Sequence, residues 1–337
     1  MDTEGYGSLC LEGGDQVGKA DATNRLVEEL EKQKINLTFT SFPIYSTPIG
    51  TSIRFLLKNG CPDDILSKDS SLETRIALFA LNRLEYMDVL LGSKKFCDTF
   101  LLFDRSPFSN ALTISYGLSS FGDMNSDEVS NYIDLSLNYD SLMISKLGLD
   151  RCVVQLQSKK QNWDNIRVEE GDQYEREEVQ EKCDYVYEGY KKIIGDGWHQ
   201  VVTKDENGWR KKNEIFKSIN NILLSTYGDM GDIRKGKRYQ IGFKEIIERM
   251  YPKSKYEESQ FKKYSDALKG NFKDQMYANG VLLGKQVANT CSEVRIRNEE
   301  VRMEFRRIVW SVPETINVMR YFLGDTFVNK FIEGLGV

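Results

Sequence analysis

The 337-residue chain contains a single histidine, His199. A multi-histidine metal site is thereby excluded, and a Ser-His-Asp hydrolase could run only through that one residue. Cysteine is sparse and unpaired in pattern: Cys10, Cys61, Cys97, Cys152, Cys183 and Cys291 include no CxxC. Neither a disulfide framework nor a zinc site is expected, and the thiols read as reduced groups in a cytoplasmic protein. No apolar run approaches the ~20 residues a membrane-spanning helix requires. Met1 to Tyr6 are polar and acidic, so no signal peptide is expected. Internal repeats and low-complexity tracts are lacking too.

What is present is ordinary globular composition, 40% hydrophobic and 29% charged, at a length that suggests about two domains. The net charge of −5 is uneven, with residues 1–226 balancing at −10 and residues 227–337 at +5. Such asymmetry reads either as a solvated mixed-charge surface or as a tail suited to an acidic partner.

Short β-rich runs at 8–11, 37–42, 100–103, 152–157 and 200–203 alternate with helical stretches. In 72–91, for example, Leu72, Ile76, Phe79, Ala80, Arg83, Leu84 and Met87 recur at three and four residues. The alternation predicts an α/β fold with a five-stranded parallel sheet flanked by helices. Ligands of such sheets bind beyond the carboxyl ends of the strands. After Tyr227 the pattern changes. A glycine-rich, charged stretch at 227–240 reads as a linker, with the run Arg234 to Arg238 as solvated linker or basic patch. Helical pieces follow at 243–250, 258–268, 293–309 and 313–331. The expected organisation is a domain at 1–226, the linker, and a mainly helical appendage at 241–337.

The first strand runs into Glu12-Gly13-Gly14-Asp15-Gln16-Val17-Gly18-Lys19-Ala20 and then a helix. This matches GxxxxGK, in which glycines let backbone N–H groups wrap a phosphate and the helix N-terminus adds positive potential. Gly13, Gly14, Gln16, Val17, Gly18, Lys19, Ala20 and Asp21 are therefore the candidate ATP-binding residues. The usual metal-ligating Ser/Thr is replaced by Ala20, which leaves Asp21, Thr23 or water for that position.

The loop LEGGDQVGKA resembles that of the thymidylate kinase family, and four further segments fall in the family's order. Phe42-Pro43 with Ser46-Thr47-Pro48-Ile49-Gly50 is similar to the loop after the second strand, where the family's phosphate-gripping arginine is replaced by Ile44 and Tyr45. Leu78 to Arg83 resembles the family's base-binding helix. Asp104-Arg105, followed by Ser106-Pro107-Phe108-Ser109-Asn110, resembles its Asp-Arg motif. Asp172 to Glu175 and Tyr185 to Tyr190 resemble its lid and the following helix. The resemblance covers about 7–225, and residues 228–337 resemble no family.

The resemblance implies transfer of the ATP γ-phosphate, with Mg²⁺, to a pyrimidine nucleoside monophosphate, dTMP first. It assigns catalysis to Lys19, Arg105 and Asp15. Acceptor binding falls to Asp15, Phe42, Phe79, Arg83, Arg105, Ser109 and Asn110, and Mg²⁺ to Asp104 through water. Thr113 stands where the family commonly has an aromatic that crowds out a 2′-hydroxyl. The family's mobile arginine is replaced by Gln16 in the loop and Gln173 in the lid, leaving Lys159, Lys160, Arg167 and Arg176 as substitutes. Family members pair as homodimers, so the same is expected here. Three readings follow: an active kinase, a weakly active or inactive nucleotide-binding module, and a protein whose C-terminal region binds a partner or nucleic acid.

Overall fold

The computed structural model describes residues 7–93, 99–122, 124–158, 172–228, 238–239, 241, 243–251 and 273–336. The chain divides into two compact units, Met1–Phe42 with Ser93–Gln240 and Pro43–Gly92 with Ile241–Val337.

The first unit is built on a seven-stranded sheet. Its strands are β1 (Ser8–Glu12), β2 (Leu37–Ser41), β3 (Phe100–Asp104), β4 (Val153–Ser158), β5 (Trp198–Asp205), β6 (Gly208–Trp209) and β7 (Arg238–Tyr239). The order is β6-β5-β4-β1-β3-β2-β7. The five expected strands form the parallel centre of this sheet. Two two-residue edges extend it: β6 pairs antiparallel with β5, and β7 pairs parallel with β2. β7 falls in the stretch read as a linker; of the run Arg234 to Arg238, only Arg238 is among the described residues.

Helices α1 (Lys19–Lys32), α4 (Asn110–Ser120), α5 (Ser126–Tyr139), α6 (Ser141–Leu147), α7 (Glu177–Ile194) and α8 (Lys212–Tyr227) belong to this unit. Leu26, Val27 and Leu30 of α1 and Ile215, Ile219 and Leu223 of α8 meet Leu9, Leu11, Leu102, Val154 and Leu156 of the central strands in one core. Strands buried on both faces need such continuous apolar runs. Because β1 and β3 are neighbours in register, Leu11 beside Asp104, their carboxyl ends deliver Glu12 and Arg105 to the same edge.

The second unit is helical: α2 (Pro48–Asn59), α3 (Lys68–Gly92), α9 (Phe243–Met250), α10 (Lys273–Thr290), α11 (Glu299–Ser311), α12 (Glu314–Leu323) and α13 (Asp325–Gly334). Sequence proximity placed 43–92 in the first domain, whereas by packing it groups with 241–337. The reason is α3, which is buried over most of its circumference and takes its cover from α2, α9, α11 and α12. Two helices expected as continuous are shorter or broken. The piece at 293–309 begins at Glu299, where the Asn298 side chain caps Val301 N–H. The piece at 313–331 divides at Gly324, whose φ of 88° ends one helix before the next. The piece at 258–268 lies outside the described residues. No helix among the described residues is long and apolar enough to cross a membrane.

Candidate phosphate-binding site

The loop between β1 and α1 is shaped by its glycines. Gly13 has a φ of 132°, and a Cβ there would lie 2.4 Å from the Leu156 carbonyl oxygen, so only glycine fits. Gly18, in the left-handed region, is the N-cap of α1 and offers no side chain to its first-turn amides. Those amides and the helix dipole are therefore directed at the loop's mouth. Gln16 is exposed with a φ of 59°. Val17 turns inward to the core.

Lys19 lies over the loop, its Nζ donating to the carbonyls of Gly13 (2.9 Å) and Gly14. Burial, with the charge of Arg105, pulls its pKa down to about 8 against the opposing pull of Asp15, Asp104 and Glu12. Asp15 carries two charge-assisted bonds: Arg105 Nη2 donates to Oδ1, and Gln180 Nε2 donates to Oδ2 at 2.8 Å. Burial would raise the Asp15 carboxyl, but Arg105, Lys19 and the Gln180 bond hold it below the usual range. Burial works against the Arg105 charge as well, yet Asp15, Tyr187, Asp104 and Glu12 outweigh it and raise that pKa. Arg105 also sits at φ 67°, a strained conformation for a residue with a Cβ.

Beneath the loop lies a group that sequence reasoning missed. Glu12 is fully buried at the end of β1. It accepts from Ser106 Oγ (2.6 Å), Ser109 Oγ (2.6 Å) and Tyr187 OH (2.9 Å). Burial pushes its pKa up, and these donors together with Arg105 offset part of that. Tyr187 OH in turn accepts from Gly13 N–H at 3.2 Å. Gln180 receives Asp15 N–H at 2.7 Å and donates to the Tyr174 carbonyl at 2.8 Å. The α7 pair Gln180 and Tyr187 thus fixes the loop from 165 and 174 residues away. Its sequence signal is a polar residue and a tyrosine, seven apart, on the inner face of an amphipathic helix.

Of the remaining candidates, Asp104 lies at the end of β3. Its Oδ2 accepts weakly from Ser41 (3.4 Å), and its Oδ1 is buried without a hydrogen-bond partner among the described residues. A carboxylate oxygen in that condition fits a cation or its water. Ala20 supplies no oxygen. Asp21 is exposed and paired with Lys212 at 2.9 Å. The buried Thr23 Oγ1 has no hydrogen-bond partner among the described residues. No cluster of three or more His, Cys, Asp or Glu that could hold a metal occurs among the described residues.

Phe42 is buried, its ring 6.1 Å from that of Phe103. Ser109 is committed to Glu12, and Asn110 is buried with Nδ2 3.5 Å from Asp140. Thr113 accepts from Tyr174 OH at 3.1 Å. Arg176 is exposed before α7. Lys159, Lys160 and Arg167 lie outside the described residues. Phe79 and Arg83 stand one turn apart on α3 of the second unit, Arg83 buried and Phe79 half-buried.

The structure therefore joins Lys19, Asp15, Arg105 and Asp104 in one charged cluster at an uncapped helix N-terminus. Such a cluster can hold a polyphosphate and a metal ion and place positive charge on a phosphoryl group in transit.

Residues 11–116 match the family model described as thymidylate kinase, and the C-terminal region is covered by no family. No curated protein matches the chain. Among solved structures, the chain is similar to a thymidylate kinase from Candida albicans, with 17% identity, 66% of this chain and 93% of that chain covered, and a TM-score of 0.45. It is also similar to a thymidylate kinase from Ehrlichia chaffeensis, with 18% identity, 65% and 99% covered, and a TM-score of 0.41.

Proposed function

We propose that the chain is a nucleoside monophosphate kinase that transfers the ATP γ-phosphate to a pyrimidine nucleoside monophosphate, dTMP before others. The observation that carries the reading is the cluster of Lys19, Asp15 and Arg105 at the open N-terminus of α1, within a segment that matches the thymidylate kinase family model.

In this reading the loop amides and Lys19 hold the donor's phosphates. Lys19 leaves the Gly13 and Gly14 carbonyls to do so. Asp15 takes an acceptor sugar hydroxyl, which displaces Arg105 toward the phosphoryl group. Asp104 Oδ1 would hold Mg²⁺ through water, and the ion would supply positive charge for the phosphate oxygens. Phe79 and Arg83 face the base. Arg176 is the described lid cation, and Lys159, Lys160 and Arg167 are further candidates. Two copies of the chain pair as a homodimer in the cytoplasm.

A second reading is a nucleotide-binding protein that turns over slowly. It is favoured by Ala20, which offers the metal no hydroxyl, and by Arg105, whose charge is already engaged by Asp15.

The deciding measurement is ADP release from Mg-ATP with and without dTMP, dUMP, dCMP and UMP. The kinase reading expects a dTMP-dependent rate of ~1–10³ s⁻¹ that Lys19→Ala abolishes. Nucleotide binding without turnover on any acceptor would establish the second reading instead.

A further inference from the structure

Within the second unit, α3 carries two fully buried carboxylates one turn apart, Glu85 and Asp88. Buried charge of this kind persists only where it is hydrogen-bonded. The partners come from two places. Glu85 Oε2 accepts from Thr47 Oγ1 (2.5 Å) and Asn82 Nδ2 (2.8 Å), and Oε1 accepts from Tyr251 OH (2.5 Å). Asp88 accepts from Arg249 Nε (2.5 Å) and from the N–H groups of Arg297 (3.0 Å) and Asn298 (2.7 Å).

The same network holds the turn that precedes α2. Ile44 N–H donates to Asn82 Oδ1 at 2.8 Å, and Thr47 Oγ1 accepts from Gly50 N–H at 3.1 Å. Helix α10 closes on that turn: a Cβ at Gly284 would lie 2.6 Å from the Thr47 carbonyl oxygen. Every donor that satisfies Asp88, and one of those on Glu85, belongs to 241–337, the region that matches no family.

We propose that this C-terminal region is an intramolecular brace for the acceptor side of the enzyme. Tyr251 acts as a positioning residue that sets the 44–50 turn through Glu85. The inference rests on the proposed function, which assigns the α3 residues Phe79 and Arg83 to the acceptor, and on the resemblance of the segment from Phe42 to Gly50 to the family's loop after the second strand. Tyr251 touches no reacting group. It acts by fixing Glu85, which fixes Thr47 and, with Asn82, the backbone of Ile44.

The test compares the wild-type chain with Tyr251→Phe, which removes one hydroxyl. Amide exchange followed by NMR is expected to quicken about tenfold at Ile44 and Gly50, with the amides of β1 and β3 unchanged. Losing one buried hydrogen bond to a charged group is sufficient for a change of that size. The KM for dTMP is expected to rise about tenfold, with kcat and the KM for ATP unchanged. Unchanged exchange at Ile44 and Gly50 overturns the brace. Quickened exchange there without turnover in either protein supports the brace while removing the kinase reading. If Tyr251→Phe unfolds, the double variant Tyr251→Phe/Glu85→Gln, which leaves no buried charge at this position, is read by the same exchange criterion.

Discussion

Arg105 Nη2 donates to Asp15 Oδ1 across 90 residues of sequence, joining the end of β3 to the middle of the β1–α1 loop. With Gln180 on Oδ2, both oxygens of Asp15 are engaged and its charge is balanced from two elements. Removing either partner of this partly buried pair leaves the other without its counter-charge. Arg105→Ala is expected to lower kcat for dTMP phosphorylation by about 10²–10³-fold, the size seen when one preorganised donor to developing charge is removed. Arg105→Lys is expected to recover only part of this, since an ammonium lacks the planar fork. Steady-state kinetics on the two variants checks both expectations.

Lys19 gives a pH dependence. Its pKa without ligand is pulled down to about 8, and only the protonated form attracts a phosphate. As pH rises through about 8, a growing share of the free protein must take up a proton before it binds. The dissociation constant for ATP is therefore expected to be level below pH 7 and to weaken by up to about tenfold per unit above 8. Calorimetric titrations at pH 7, 8 and 9 measure it. A flat profile would remove Lys19 from the phosphate site.

Ala20 stands where the GxxxxGK motif usually carries a metal-ligating hydroxyl. Ala20→Ser adds one oxygen at the first turn of α1 without changing the loop glycines. The Mg²⁺ concentration giving half-maximal turnover is expected to fall and kcat to rise. Magnesium titrations of the two proteins decide this, and no change would place the ion's protein ligands elsewhere than at the helix N-terminus.

Glu85 gives a stability signature. Burial pushes its pKa up from an ordinary 4.5 to about 7, despite donors from Thr47, Tyr251, Asn82 and Ile49 N–H. Between those values the folded chain keeps a proton that the unfolded chain has released. This group's contribution to stability therefore falls as pH rises from about 4.5 to about 7, and is level above. Tyr251, Thr47 and Asn82 face it, with Asp88 and Arg249 next along. Glu85→Gln is expected to flatten the loss over that window and to be the more stable protein at pH 8. Urea denaturation from pH 4.5 to 8 reads this directly.

The central strands were legible as short β-rich runs between helical stretches, most clearly β1 and β3, whose near-continuous apolar runs require a sheet covered on both faces. The two edge strands were not, since two residues carry no period. The GxxxxGK loop was legible because its spacing is local: glycines and a lysine on one turn suffice to wrap a phosphate. The polar partners that hold it were not. Glu12 looks like any loop carboxylate until Ser106, Ser109 and Tyr187 close on it. Gln180 is one polar residue of an amphipathic helix until α7 packs against the loop.

By itself the sequence determined where the five central strands and the helices between them run, and which short loop has the glycine spacing that can wrap a phosphate, because these follow from periodicity and from the backbone freedom of neighbouring residues. Tertiary structure alone decided which distant side chains share a charge. It paired Arg105 with Asp15, and it satisfied Asp88, and Glu85 through Tyr251, from a region more than 150 residues along the chain. Buried charge must find its donors wherever packing brings them, and packing does not follow the order of the chain.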